Sequence, residues 1–467
     1  MTEKNTQNVE ITAVEEVYAK RKKIYPRQVT GLFASLRFSG VLSLLGLYYL
    51  GPLMQWNGRQ AILFDLPARK FYIFEWIFWP QDFIYLAALL IIAAIALFLV
   101  TALAGRVWCG YACPQTVWTE AFLWIERKVE GSRAKQIKLD KKGWSWGKFR
   151  IKFTKHFIWI TFSLLTGFVF VGWFTPITEL TARTLSFELG PWEAFWIFFY
   201  GFATYGNAGW MREQVCMYMC PYARFQSAMF DKNTLVISYD EERGEPRGPR
   251  KKGSDYQTDG KGACVDCSLC VQVCPTGIDI RDGLQYQCIG CAACVDVCNE
   301  VMDKMGYQRN LVSYTTENAL HGKKESFFRP RVLIYIILLS VISVALFTSI
   351  AQRVPLGLDV IRDRSSLYRE TDDGMIENVY TLKIMNMDLK PHRYSLAVGG
   401  IDGLILKKQN KGIHVDSGAV LNYPVRIQAE ADKLNAASTE LMFYLNAIDD
   451  DALSVAKEGR FLGPVYK

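Results

Sequence analysis

Twelve cysteines fall into groups whose spacing can do metal chemistry. Eight of them lie in CVDCSLCVQVCP (Cys264, Cys267, Cys270, Cys274) and CIGCAACVDVCN (Cys288, Cys291, Cys294, Cys298). Each run is Cys-x2-Cys-x2-Cys-x3-Cys, the bacterial ferredoxin spacing for two [4Fe–4S] clusters. Three thiolates on a tight loop reach three irons of one cubane, and the fourth sits too far along and serves the other cluster. The spacing therefore predicts one cluster on Cys264, Cys267, Cys270 and Cys298, and a second on Cys288, Cys291, Cys294 and Cys274. Zinc sites do not usually repeat this offset, and a reducing compartment argues against disulfides. Pro275 follows Cys274 but Asn299 follows Cys298, which alters the surroundings of that thiolate and leaves the ligand set intact.

The other four cysteines form a second doubled motif. CGYACPQ (Cys109–Gln115) and CMYMCPY (Cys216–Tyr222) both read Cys-x3-Cys-Pro, and both follow a long apolar segment. Proline suits the first position of a helix, so Cys113 and Cys220 are expected at helix N-termini, where the partial positive charge favours thiolate. Two such helix feet would gather Cys109, Cys113, Cys216 and Cys220 into one soft metal or redox site. Met217 and Met219 add thioethers, and thiolate with thioether suits Cu(I). Spacing leaves both a third iron–sulfur cluster and a copper site open. His156 is a weaker candidate for metal or haem. With four histidines in all and no Cys-x-x-Cys-His, haem is disfavoured, and no phosphate-cradling loop, dinucleotide fingerprint or hydrolase triad occurs.

These thiols must be held by the elements around them. The chain has 467 residues, half of them apolar, and the apolar content is clumped. Five stretches are expected to cross a bilayer: Leu32–Leu53, Phe83–Ala104, Phe157–Phe174, Trp192–Trp210 and Val332–Ala351. Arg37, near one end of the first, can snorkel. The first thirty residues carry Lys20, Arg21, Lys22, Lys23 and Arg27, and Arg127–Lys155 carries eleven Lys or Arg. Met54–Asp82 has three and Thr175–Pro191 only Arg183. By the positive-inside rule the basic loops and N-terminus are cytoplasmic and the C-terminus periplasmic. All twelve cysteines then lie at the reducing side. The net charge of +8 is explained by this asymmetry and by anionic lipid, with no nucleic acid needed.

The expected order is a cytoplasmic tail (1–31), spans one to four with both Cys-x3-Cys-Pro motifs (32–232) and a mobile Gly/Pro/charge-rich linker (233–262). A ferredoxin-like α+β insert (263–302), a tether (303–331) and a fifth span (332–351) follow. The last segment, 360–467, alternates with period two: Tyr380, Leu382 and Ile384 against Thr381 and Lys383, and Tyr423, Val425 and Ile427 against Pro424, Arg426 and Gln428. That pattern predicts an all-β, immunoglobulin-like sandwich. The aromatic loop RKFYIFEWIFWP (Arg69–Pro80) is expected to bed in the outer membrane interface. The fold class is thus a multi-domain integral membrane protein with a five-helix bundle.

In this order the spans, the two Cys-x3-Cys-Pro elements, the YDEERGEPRG linker, the double ferredoxin motif and the cysteine-free β-rich tail resemble the FixG/CcoG family. These are accessory proteins of cbb-type cytochrome c oxidase assembly. The resemblance implies a cupric reductase of the bacterial inner membrane that turns Cu(II) into Cu(I), with copper as substrate or bound ion. The four paired cysteines would be its copper or third-cluster site. Implied partners are a cytoplasmic electron donor and cbb-type oxidase assembly factors or a copper chaperone or transporter, with a homo-oligomer left open. A second reading is a membrane ferredoxin relaying electrons from quinol or a soluble donor to another membrane partner. A third is an assembly scaffold with structural clusters.

Overall fold

The computed structural model describes residues 23–464 except 257, 259, 409 and 435. Lys20, Arg21 and Lys22, with most of the 1–31 tail, lie outside the described residues. The chain forms two compact units. One comprises residues to Tyr48, Ala96–Phe168 and Pro191–Ile336, and the other Tyr49–Ile95, Val169–Gly190 and Ile337 onward.

The helices used below are α1 (Leu32–Leu50), α2 (Phe83–Ala104), α3 (Val107–Tyr111), α4 (Pro114–Glu130), α5 (Trp146–Gly172), α6 (Pro191–Thr204), α7 (Pro221–Met229), α8 (Leu269–Val273), α9 (Ala293–Met305) and α10 (Pro330–Ala351). Among the described residues four helices are long and apolar enough to cross a membrane: α1, α2, α5 and α10. Trp192–Trp210, the other expected span, is also helical but is not one regular helix. There α6 covers 14 residues, and the chain then widens into a π-helical turn, Tyr205–Met211. Gly206 and Gly209 weaken a regular helix at this point. The Gln115 side chain also donates to the carbonyls of Asn207 (2.9 Å) and Arg212 (3.1 Å), which holds the turn open. α5 starts at Trp146, well before Phe157, because Trp146, Phe149, Phe153 and Phe157 stack in succession along one face.

In the first unit, strands flank the cysteine-rich core. We number strands β1 (Ile62–Asp65), β2 (Lys70–Ile73), β3 (Trp76–Phe78), β4 (Val236–Tyr239) and β5 (Val312–Thr315). β4 pairs antiparallel with β5, from Val236 opposite Thr315 to Tyr239 opposite Val312. The ferredoxin-like fold therefore runs from β4 to β5, beyond 263–302 at both ends. The segment expected to be a mobile linker is tied down. Ala263 N–H donates to Arg243 O (2.7 Å), Gly262 N–H to Pro246 O (3.0 Å) and Arg250 to Cys264 O (2.8 Å). Gly and Pro here serve close packing; a Cβ on Gly262 would strike the Gly244 carbonyl group.

In the second unit, β1, β2 and β3 form a small antiparallel sheet built from the aromatic loop. That loop, expected to bed in an interface, packs on the tail. Its Ile77 and Trp79 are buried against Met385 and Met387. The tail contributes β6 (Leu356–Arg362), β7 (Met375–Asn386), β8 (His392–Gly399), β9 (Ile413–Val415), β10 (Val420–Glu430), β11 (Ser438–Ala447) and β12 (Ser454–Leu462). One sheet runs Ile405–Leu406, β10, β7, β6, with Arg369–Glu370 also on β7, and the other runs β9, β8, β11, β12. Alternate residues of both sheets fill one core, in which Tyr380, Leu382, Ile384, Leu396, Val425, Ile427 and Phe443 are buried. Tyr380 meets Phe443 edge-on at 5.2 Å, and its hydroxyl donates to Arg460 O at 2.8 Å.

His392 is buried at one end of the sandwich, with Nε2 2.9 Å from Asp388 and Nδ1 3.0 Å from Asp449. Burial pulls its pKa down, but hydrogen bonds and charge from the two carboxylates outweigh this and leave it raised. A raised histidine pKa gives stability that is complete below the unfolded value of about 6.5 and is lost as pH rises through the folded value. The melting transition of the β-domain is therefore expected to fall between pH 6 and pH 9 by more in wild type than in His392→Gln. Equal falls would show that the carboxylate pair does not hold the imidazolium.

Candidate metal centres

The two ferredoxin loops have matching backbones. In each, the residues either side of the second cysteine take positive φ: Asp266 (50°) and Ser268 (53°) around Cys267, and Gly290 (68°) and Ala292 (56°) around Cys291. Left-handed residues in such turns orient successive N–H groups into anion-binding concavities. α8 and α9 begin directly after them.

The folded chain exchanges the fourth thiols between the motifs. Cys298 is pushed up to about 12 by burial and by its neighbours Cys270, Cys264 and Cys267. Cys274 instead acts on Cys288, Cys291 and Cys294, all of them raised, by burial first. Two small cavities mark the same sets. One is lined by Cys264, Cys267, Cys270 and Cys298, and the other by Cys274, Cys288, Cys291 and Cys294, with Cys270 at the edge between them. Among the described residues, no three His, Cys, Asp or Glu stand close enough for a single ion. A cubane spreads its four thiolates wider than one tetrahedral ion does, so the donor sets fit [4Fe–4S] clusters. Cys267 is exposed, which leaves the first set open to solvent at one corner.

The paired thiols are also together. Cys113 and Cys220 cap α4 and α7 in extended conformation, with Pro114 and Pro221 at the first helical position. Cys109 sits on α3, and Cys216 in a second π-helical turn, Val215–Met219. Every pair among the four interacts electrostatically. The expectation that a helix N-terminus would lower the Cys113 pKa is overturned. The N–H groups of Gln115 and Thr116 do bond its sulfur and lower it, but burial outweighs them and the thiol is raised. Cys109 is pushed up to about 11 and Cys216 to about 12, chiefly by burial. Half-buried neutral thiols are poor stopping points for charge, so it is a bound cation that would hold them as thiolates. Gln226 supports such a state. It is fully buried beside Cys109 (Sγ to Oε1 3.5 Å), and its Nε2 has no partner. Flipping this amide would direct an N–H at the thiolate.

Of the weaker candidates, Met219 is 59% exposed and Met217 half-buried. His156 is occupied elsewhere, with Nδ1 2.9 Å from the Tyr205 hydroxyl and its ring against Trp159 and Trp210.

The first Cys-x3-Cys-Pro motif lies directly on the second ferredoxin loop. A Cβ at Gly110 would stand 2.8 Å from Gly290 O and 3.0 Å from Cys291 Cα, and one at Gly290 3.0 Å from Arg106 O. Glycine is required on both sides for the backbones to approach. Arg106, buried between them, donates to the carbonyls of Tyr286, Cys288 (3.2 Å) and Ala223, tying the loop to α7 just beyond Cys220. Arg37, which the sequence suggested would snorkel, donates to Cys291 O. Asp296 of α9 accepts from the N–H groups of Phe33 (3.2 Å) and Ala34 (2.7 Å), capping α1. Behind the site, Arg212 and Lys155 share buried Glu126 (2.9 and 3.3 Å), and Lys155 and Lys152 share Glu130 (both 2.8 Å). Apart from Arg37, none of these residues stood out in the sequence, because lone Gly and charged residues carry no spacing signal. Gly110→Val is expected to loosen the contact. Amide hydrogen exchange at 286–294 should rise severalfold, whereas Gly143→Ala, at a position with nothing within 4 Å, should leave it unchanged.

Facing dicluster loops, a paired-thiol motif at the foot of apolar helices and an immunoglobulin-like sandwich define a membrane-bound iron–sulfur electron-transfer protein. The comparisons agree. Residues 211–317 match the family "4Fe-4S dicluster domain", residues 86–131 the "4Fe-4S binding domain", and residues 346–464 the "IG-like fold at C-terminal of FixG". Nitrogen fixation protein FixG of Rhizobium meliloti is 38% identical over 428 residues, 84% of this chain and 82% of its own. Protein RdxB of Cereibacter sphaeroides is 41% identical over 401 residues (83% and 84%), and protein RdxA of the same organism 37% over 453 residues (94% and 95%). A crystal structure of a FixG-related protein from Vibrio parahaemolyticus aligns at 35% identity over 24% of this chain and 98% of that one, with TM-score 0.22. The chain belongs to the FixG family.

Proposed function

We propose that this protein reduces Cu(II) to Cu(I) at Cys109, Cys113, Cys216 and Cys220, for maturation of a cbb-type cytochrome c oxidase. The observation that carries this reading is the direct backbone contact between the paired-thiol motif and the Cys288–Cys294 loop, through Gly110 and Gly290. When bound, the [4Fe–4S] clusters supply electrons one at a time. The protein's part is to bind and position. The four sulfurs do not stand close enough for one ion as they are and would draw in on binding; thiolates favour the softer, reduced ion, so the closed site would raise the copper potential and draw the electron toward it. Arg106 fixes the loop against α7, and Gln226 stands ready to bond the Cys109 sulfur as it loses its proton. The thiols are half-buried, which limits the competition of water for the metal.

The distribution of charge in the connections supports the orientation: eleven Lys or Arg in Arg127–Lys155 favour a cytoplasmic side for that connection, the N-terminus and the ferredoxin fold, with the β-domain in the periplasm of an inner-membrane protein. Oxidase assembly factors, or a copper chaperone or transporter, would then receive the Cu(I). A second reading is favoured by one finding: the 4Fe-4S binding match over 86–131 encloses Cys109 and Cys113, so the four thiols would hold a third cluster. The test is anaerobic. Protein reduced with dithionite and freed of reductant should convert added Cu(II) to chelatable Cu(I), about one per reduced cluster. No Cu(I) above a cluster-free control would overturn the copper reading.

A further inference from the structure

The first unit contains a cavity of about 840 Å3 that none of the chemistry above uses. Its wall is mostly apolar, and its two ends differ. At one end are Leu45 of α1 and Phe162 of α5, residues of membrane-crossing helices. At the other are Cys291 and Thr276 of the ferredoxin loops, with Cys216 of the paired thiols also on the wall. Along α1 the cavity extends from Arg37, whose guanidinium holds the Cys291 carbonyl, to Leu45. At 1.5 Å per residue that is about 12 Å. The occupant must therefore be apolar at the membrane end and able to exchange electrons at the cluster end. A volume of this size takes one substituted ring and the first part of an alkyl tail.

We propose that this cavity binds a lipid-soluble hydroquinone, and that the electrons of the protein enter here, at the Cys291 loop. The proposal rests on the iron–sulfur electron-transfer reading and not on copper. The step balances: the hydroquinone gives up two electrons and two protons and becomes the quinone, and each of the two clusters takes one electron. The protons pass to carboxylates on the wall, Glu120 and Glu213, and from there to water. Two adjacent one-electron acceptors are what a two-electron carrier needs if its half-oxidised radical is not to linger. Arg27, Arg37, Arg127 and Arg212 also line the wall, but Arg37 is engaged by the Cys291 carbonyl, Arg127 by Glu120 and Arg212 by Glu126. Ser35 and Ala121 are small residues of the lining, so a large side chain at either would fill part of the space.

The test uses the full-length protein purified anaerobically with its clusters. Decylubiquinone should bind saturably, seen as quenching of tryptophan fluorescence. Decylubiquinol should bleach the visible cluster absorption, one quinol per two clusters. Ser35→Trp and Ala121→Trp, made separately, should each weaken quinone binding at least tenfold at unchanged iron and sulfide content. Absence of saturable binding by the wild type, or binding unaltered in both filled variants, would overturn the proposal. So would finding that only phospholipid, and no quinone, occupies the cavity of the native-membrane preparation. The two readings fail separately in the wild type. Protein that binds and accepts electrons from quinol but yields no Cu(I) would refute the copper site alone. Dithionite-reduced protein that yields Cu(I) yet ignores quinol would refute the cavity alone.

Discussion

Serine at both Cys216 and Cys220 is expected to lower Cu(II) reduction at least a hundredfold while the iron and sulfide of the two ferredoxin clusters stay in place. The reason is the separation of tasks. Cys216 and Cys220 lie outside the two four-thiol cavities, and their electrostatic partners are Cys109 and Cys113. Serine keeps the size of the side chain but supplies a hard, weakly acidic oxygen that does not favour Cu(I). A hundredfold loss corresponds to about 2.7 kcal/mol in the barrier, modest for removing two of four soft ligands. Full Cu(II) reduction by the double variant would refute the copper assignment. A fall in iron by about a third would instead identify the four thiols as ligands of a third cluster, the second reading.

The other large effect is a crossed one. Cys274→Ser is expected to remove the cluster of the other motif, that of Cys288, Cys291 and Cys294, and to spare the cluster of its own sequence neighbours. Iron in the dicluster domain should drop by about half, and the EPR signal that remains should match that of Cys291→Ser. Cys298→Ser should in turn match Cys267→Ser. The ground is geometric: Cys274 lines the cavity of the second set and acts on its three thiols, and Cys298 does the same for the first. Spectra grouped instead by sequence motif, Cys274→Ser with Cys267→Ser, would refute the exchange. Because α9 carries Cys294 in its first turn and Cys298 one turn further on, loss of either cluster also removes support from Asp296 between them, and with it the cap on α1. A lower melting temperature is thus expected to accompany either loss.

The parts of this protein that were legible in its sequence are those whose cause is local. A cubane's first three thiolates must come from one short loop, so Cys264, Cys267 and Cys270 announce it by spacing alone. Proline at the first helical position marked α4 and α7, and alternation along Tyr380, Leu382 and Ile384 marked a strand with one buried face. Four of five apolar runs became long helices for the same reason: hydropathy and length act residue by residue. Folding decided what depends on residues far apart in the chain. The π-helical turn at Tyr205–Met211 follows from Gln115, and the raised Cys113 thiol from burial that outweighs its helix N-terminus. Only the tertiary structure could bring Gly110 against Gly290, and Arg106 across 180 residues to the Tyr286 carbonyl, because a close approach of two backbones is a property of the packed pair. The spacing pointed to the sulfurs that could bind a metal; that the backbones of two of their motifs touch, and that a largely apolar cavity beside α1 reaches Cys291, was decided by packing.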